Sequence, residues 1–242
     1  MNYFALRQRL RYNELIFKLV TFLKPPKSFQ MRSPVTKSSD IVVEGFPRSS
    51  NTFLTVALKA LLGEGFSIAN HYHSSAQFSL GYKLKKPMVL VVREPLNCLV
   101  SNLLYYPSRS RKEIIDDYIL FHENLKQYLP NIFVVDFNDV TTNPVALIAE
   151  ISDEFDLKID TASIDSEVFV NSTLGLVREH ADRLGEIFNQ DMTFSLAIPS
   201  EDKRKHKQRL LDEIAADMDL QMKLNYAIKV YRKTISYRNV EA

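Results

Sequence analysis

The sequence predicts an α/β fold of three layers, α/β/α, around a central parallel sheet, and three observations predict it. Short, nearly continuous apolar runs recur at 41–43, Met88–Val92 and 132–137. Strands buried on both faces read this way, whereas half-exposed strands alternate. Each run is followed by a segment with apolar residues at helical spacing, and that alternation implies helices on both faces of the sheet. The composition allows it: 242 residues, 45% hydrophobic and 25% charged, are ordinary globular material with enough apolar mass for one sizeable core.

Taken in order, the chain opens on a basic segment. Residues 1–37 hold eight basic side chains against the single acid Glu14, so the remainder is net acidic although the whole chain balances to +2. Phe4, Leu6, Leu10, Leu15, Phe17, Leu19, Val20 and Leu23 predict an amphipathic helix. Its apolar stretch, 15–23, is far short of the roughly 20 residues that span a bilayer. Lys18 and Pro25-Pro26 also argue against a signal peptide. The stripe is expected to pack on the domain, with peripheral membrane contact through residues 1–24 as the alternative. Pro25-Pro26 ends the helix, and the Ser/Thr/Pro/Lys-rich run 27–39 reads as a surface linker. The chain thus divides into an N-terminal helix and linker, 1–39, and a catalytic domain, 40–242.

Within that domain, strand 41–43 leads through a loop into helix 51–63, where Leu54, Ala57, Leu58, Leu61 and Leu62 recur at helical spacing. Residues 66–81 read as a short strand followed by a His-rich loop. Strand Met88–Val92 ends at Arg93, and Pro95 opens a helix through Leu104. A helix over 113–129 places Ile114, Ile115, Tyr118, Ile119, His122 and Leu125 on one side and is closed by Pro130. Strand 132–137 and helix 143–155 follow. Residues 156–200 read as irregular, with short helices over the acceptor site. Ser200-Glu201-Asp202 then begins one long C-terminal helix to about Tyr237, with Leu211, Ile214, Ala215, Met218, Met222, Ile228 and Tyr231 as its stripe. Cys98 is the only cysteine, which excludes a disulfide framework, and no CxxC or Cys/His cluster offers a zinc site. A reducing, cytoplasmic setting fits.

Chemistry is concentrated in two loops. Gly45-Phe46-Pro47-Arg48-Ser49-Ser50-Asn51-Thr52 has the length and position of a phosphate-binding loop between a buried strand and a helix, the P-loop nucleotide-binding type. Against GxxxxGK[ST], Gly45 and Thr52 are kept while Ser50 and Asn51 replace the second glycine and the lysine, so positive charge moves to Arg48. The plain alternative is an ordinary turn N-capped by Ser50 or Asn51. The second loop, Arg93-Glu94-Pro95, is followed by Ser101 eight residues after Arg93. A guanidinium and a hydroxyl there can share one phosphate. Between the loops, Asn70-His71-Tyr72-His73 supplies two histidines, whose ordinary pKa of roughly 6.5 suits a general base. A two-histidine metal site and a merely structural pair are the competing readings. His122, His180 and His206 lack comparable context. The basic run 203–207 is read as a solvated helix face or a second contact to a phosphate. A nucleic-acid surface is not expected, because the acidic remainder would repel a phosphate backbone.

GFPRSSNTFL resembles the 5′-phosphosulfate loop of the sulfotransferases that use 3′-phosphoadenosine 5′-phosphosulfate (PAPS), and the RxPx₅S arrangement resembles their 3′-phosphate site. The resemblance covers 41 to about 144, including FVVDFNDVTTNP. It implies that Pro47, Arg48, Ser49, Ser50, Asn51 and Thr52 hold the 5′-phosphosulfate, with Ser50 standing at the family's usual glycine. It also implies that Arg93 and Ser101 hold the 3′-phosphate, that Arg48 steadies charge on the leaving oxygen, and that His73, in preference to His71, is the base. The expected reaction is transfer of a sulfuryl group from PAPS, without a metal, to a hydroxyl or amine of a carbohydrate, lipid or small molecule. The acceptor is expected to contact 70–84, 105–111 and the segment after 156, where Tyr72, Phe78, Tyr82 and Tyr106 offer aromatic surface. A P-loop kinase is a second class, but the loop lysine is absent and only Asp136 is placed at a strand end for magnesium. A non-catalytic nucleotide-binding module is a third.

Overall fold

The structure is a computed structural model that describes residues 10, 12–23, 32–63, 65–188 and 201–239. Four strands, β1 (Ile41–Gly45), β2 (Ile68–Asn70), β3 (Met88–Val92) and β4 (Phe133–Asp136), form one parallel sheet in the order β2-β1-β3-β4. Val43 lies beside Val89, and Val91 beside Val135. The chain leaves β1 for β2 on one side and then returns past it to β3 on the other.

Strand side chains alternate between faces, and here both faces are covered. Ile41, Val43, Val89, Val91 and Val135 join one core with helices α2 (Asn51–Leu62) and α7 (Pro144–Phe155). Val42, Leu90, Val92 and Val134 join the other with α3 (Ala76–Lys83), α4 (Pro95–Tyr105), α5 (Arg111–Glu123), α9 (Glu201–Ala215) and α10 (Met218–Ile235). These are the three expected layers. Burying each such aliphatic side chain contributes roughly 1.5–3 kcal/mol, which explains why the strands have no polar alternation.

Several local expectations are corrected. Ala76–Lys83 is helical where a loop was expected. The helix predicted over 113–129 ends at Glu123, after which the chain tightens into i→i−3 bonds and a 3₁₀ turn at Leu129–Asn131, so that Leu125 and Leu129 both enter the core. A short helix α6 (Phe137–Thr142) follows β4 directly, started by the Asp136 carboxylate accepting from Asn138 N–H at 2.8 Å. In the segment read as irregular, α8 (Ser166–Phe188) runs for 23 residues and packs on α2 and α7. It meets the core through Phe169, Thr173 and Ala181, with Val170, Leu174 and Val177 half-buried beside them. The long C-terminal helix is two helices: the Asp217 side chain accepts from Leu220 N–H at 3.0 Å and starts α10 afresh. That break turns Met218 and Met222 outward and puts Leu220, Leu224 and Ala227 inside.

Before β1, Tyr12 is buried in the core and donates its hydroxyl to Asp117. α1 (Glu14–Leu23) packs on α3, and Ser33 pairs with Asn70 at the edge of β2. Val35 is buried with its N–H bonded to Gln77 Oε1 at 2.7 Å. Of the predicted apolar stripe within α1, only Phe17 is buried, and Leu15, Leu19, Val20 and Leu23 are exposed. Phe4, Leu6, Pro25-Pro26 and Ser200 lie outside the described residues. Among the described residues, no helix is long and apolar enough to cross a membrane.

Candidate functional site

The sheet order places a switch point between β1 and β3, where successive connections leave in opposite directions. In open α/β sheets ligands bind in the crevice that this creates beyond the carboxyl ends of the strands. Both predicted anion loops begin there.

In the first loop, Gly45 has no room for a side chain: an added Cβ would lie 2.3 Å from the Val91 carbonyl oxygen and 2.7 Å from Asn51 Oδ1. Asn51 is buried and donates through Nδ2 to Gly45 O at 3.2 Å, closing the turn on itself. Phe46 anchors the loop from below, its ring 5.1 Å from that of Tyr118. Arg48 and Ser50 both take left-handed backbone, with φ of 75° and 67°. Each such residue costs on the order of 1–3 kcal/mol and persists only where its surroundings over-determine it. Ser50 therefore keeps the glycine-type conformation. Ser50 stands at the N-cap position of α2, but its side chain makes no capping bond, so it does not occupy the first N–H groups of the helix. Ser49 is buried with Oγ 3.7 Å from Cys98 Sγ.

The second loop is joined to the first. Arg93 Nη1 donates to the carbonyl oxygen of Arg48 at 2.7 Å, and Arg48 Nε donates to Ser101 Oγ at 3.1 Å. Asn102 Nδ2 donates to Pro47 O at 3.3 Å. The Arg48 guanidinium lies 5.0 Å from the ring centre of Tyr105, and that of Arg93 stacks at 3.8 Å on Phe137. Tyr118 supports Arg93 by donating its hydroxyl to the Arg93 carbonyl at 2.9 Å. Burial pushes both guanidinium pKa values down, and the Arg93 charge adds to the effect on Arg48. Both stay cationic in water, so the crevice holds two partly desolvated positive groups that a bound anion would relieve. Arg93 Nε is buried without a hydrogen-bond partner, as expected of a donor whose acceptor is a ligand. Ser101 takes its hydrogen bond from Arg48, where the sequence reading paired its hydroxyl with Arg93.

The histidines leave β2 on left-handed backbone, φ of 59° at His71 and 49° at His73, and not on an extended strand. Their rings still meet edge to face with centres 5.6 Å apart. His73 Nδ1 lies 2.9 Å from Gly45 O, and a carbonyl can only accept, so Nδ1 carries a proton. Glu44, fully buried at the end of β1, accepts from the N–H groups of Tyr72 at 2.8 Å and His73 at 2.9 Å, with Oε1 3.5 Å from His73 Nδ1. His71 is different. It shares a 2.8 Å hydrogen bond between Nε2 and Thr52 Oγ1, and its Nδ1 is buried with no partner. Burial first, then the charges of His180 and Arg32, lower its pKa to about 4.

Sequence reasoning missed Glu44, Asn102, Tyr118 and Phe137 as supports of this site, and it gave His180 no role although α8 brings it near His71. Glu44 left one trace, as the lone acid in the otherwise apolar run Ile41–Gly45. Arg204, Lys205, His206 and Lys207 are exposed on α9. Among the described residues no group of three His, Cys, Asp or Glu side chains is placed to share a metal ion.

The class defined by sheet and loops is an α/β protein with a central four-stranded parallel sheet and two arginine-bearing turns at its switch point. No family model and no curated protein matches the chain. Among solved structures, mouse sulfotransferase SULT7A1 complexed with PAP is similar at 12% identity and a TM-score of 0.44, over 82% of this chain and 92% of that chain.

Proposed function

We propose that this chain is a sulfotransferase that binds PAPS across the β1–β3 crevice and transfers its sulfuryl group to a hydroxyl or amine acceptor. The observation that carries the reading is the meeting of Arg48, Ser101 and Arg93 at the carboxyl ends of adjacent strands, with His73 brought to the same edge by β2. Arg93, with an unused buried N–H, suits the 3′-phosphate. The uncapped start of α2 and Arg48 suit the 5′-phosphosulfate. The acceptor oxygen bonds to sulfur as the bond from sulfur to the 5′-phosphate oxygen breaks. The electron pair leaves on adenosine 3′,5′-bisphosphate, where Arg48 stabilises the growing charge, and the acceptor proton passes to His73 Nε2. No residue here requires a metal for that step. A cytoplasmic location and a carbohydrate, lipid or small-molecule acceptor reaching the site past Tyr72 and Tyr106 belong to the same proposal.

The kinase alternative is disfavoured by Asp136, whose carboxylate caps α6 and also accepts from the Tyr231 hydroxyl. Calorimetric titration tests the reading. Adenosine 3′,5′-bisphosphate is expected to bind, with adenosine 5′-monophosphate about 10- to 100-fold weaker for want of the 3′ contact. Neither heat nor a thermal shift at millimolar bisphosphate overturns it. Magnesium-dependent consumption of ATP assigns the kinase class instead, and bisphosphate binding without sulfuryl transfer to any acceptor assigns the binding module.

A further inference from the structure

α1 turns its apolar side to the solvent. At about 100° per residue, Glu14, Phe17 and Thr21 share the side toward the domain. Phe17 is buried with its ring 5.0 Å from that of Tyr72, and Glu14 is ion-paired with Lys83 of α3 at 2.6 Å. Leu15, Leu19, Phe22 and Leu23 fall within an arc of about 100° on the other side. They are 75%, 56%, 82% and 65% exposed, and Val20 at the border is also exposed. A helix that belongs only to its own domain points its stripe inward, and isolated exposed aliphatics are normal, but a contiguous apolar face marks an interaction surface.

Charge identifies what covers it. Arg7, Arg9, Arg11, Lys18, Lys24 and Lys27 surround the stripe in sequence, and the one nearby acid, Glu14, is engaged by Lys18 and Lys83. A second copy of the chain would bring two such basic segments together and be repelled. An anionic bilayer complements both features, since acyl chains accept the stripe and acidic headgroups the basic residues that flank it in sequence. We infer that α1 is an interfacial anchor that seats Leu15, Leu19, Phe22 and Leu23 in the surface of an anionic membrane.

The test is independent of sulfuryl transfer. The full chain is sedimented with vesicles of phosphatidylcholine alone and with about 30% phosphatidylserine, at low and high salt. Binding is expected to the phosphatidylserine vesicles, to weaken with salt, and to fall about tenfold or more in the Leu19→Glu/Phe22→Glu double variant with its thermal midpoint unchanged. No binding, equal binding to both vesicles, or undiminished binding by the variant overturns the inference. So does a lower midpoint in the variant, which would mean that the face packs within the chain. A concentration-dependent dimer that the variant dissolves would assign the face to self-association and overturn it as well.

Discussion

The turns that end β1 and β3 each carry an arginine to the same crevice, yet they are built in opposite ways. The first is strained and uncapped, with Arg48 and Ser50 in left-handed backbone and Gly45 pressed against β3. The second is relaxed and capped: the Glu94 carboxylate accepts from Asn97 N–H at 2.9 Å, and Pro95 takes the first helical position with its φ already suited to the helix. Capping satisfies orphan N–H groups, so the capped helix start has fewer to give a ligand, while the uncapped one keeps them at a cost in strain. On the proposed function, the first turn would serve as a cradle and the second as a mount for one side chain.

The largest effects should separate those roles. Arg48→Ala is expected to slow single-turnover transfer from labelled PAPS by about 10²–10³-fold while changing bisphosphate affinity less than about tenfold. Arg93→Ala is expected to do the reverse, lowering bisphosphate affinity by about 100-fold in calorimetry. Equal losses of both kinds in the two variants would erase the distinction. Next in size, Gly45→Ala should destabilise the fold by roughly 2–4 kcal/mol in urea titration, because a backbone oxygen cannot move aside as a side chain can.

Both turns also stand near a buried histidine, His71 at Thr52 and His122 tilted against Tyr118 with ring centres 4.4 Å apart. Burial lowers their pKa values to about 4 and about 3. The unfolded values lie near 6.5, so the unfolded chain binds more protons below that pH. The stability from keeping these rings neutral is therefore complete above about pH 6.5 and is lost progressively as pH falls toward 4 and then 3. His122→Phe should remove its share of the acid loss, roughly 1–3 kcal/mol between pH 7 and 5 by denaturant titration, without destabilising at pH 7, because two unpartnered ring nitrogens go with it. The smallest effect is expected at Ser50→Gly, a gain of about 1 kcal/mol in the urea midpoint from relieving the left-handed serine. A loss there would mean that the first turn is not strained at all.

Strands β1, β3 and β4, the two anion turns and the helices that follow them were legible because their codes are local: apolar runs, a glycine before a helix, a proline at a helix start. Other features went unread. α8 does carry helical spacing, at Val170, Leu174, Val177 and Ala181, but among enough polar residues that the segment reads as mixed. The break before Asp217 was hidden because a capping aspartate inside a helical pattern looks like one more polar surface residue. His73 was preferred to His71 on resemblance alone, since what separates them physically is that one ring is closed in against Thr52 and the other is held between Gly45 O and Glu44.

From the order of its residues alone, this protein was committed to a buried parallel sheet with positive charge at two strand tips, because side-chain period and turn chemistry act over a few neighbouring positions. Which histidine is sealed off, which acid holds the His73 loop and which side of α1 meets water were decided by tertiary structure. Burial and hydrogen bonding of those groups depend on segments distant in sequence, such as Glu44 beneath His73 and Lys83 beside Glu14, and no local pattern encodes that proximity.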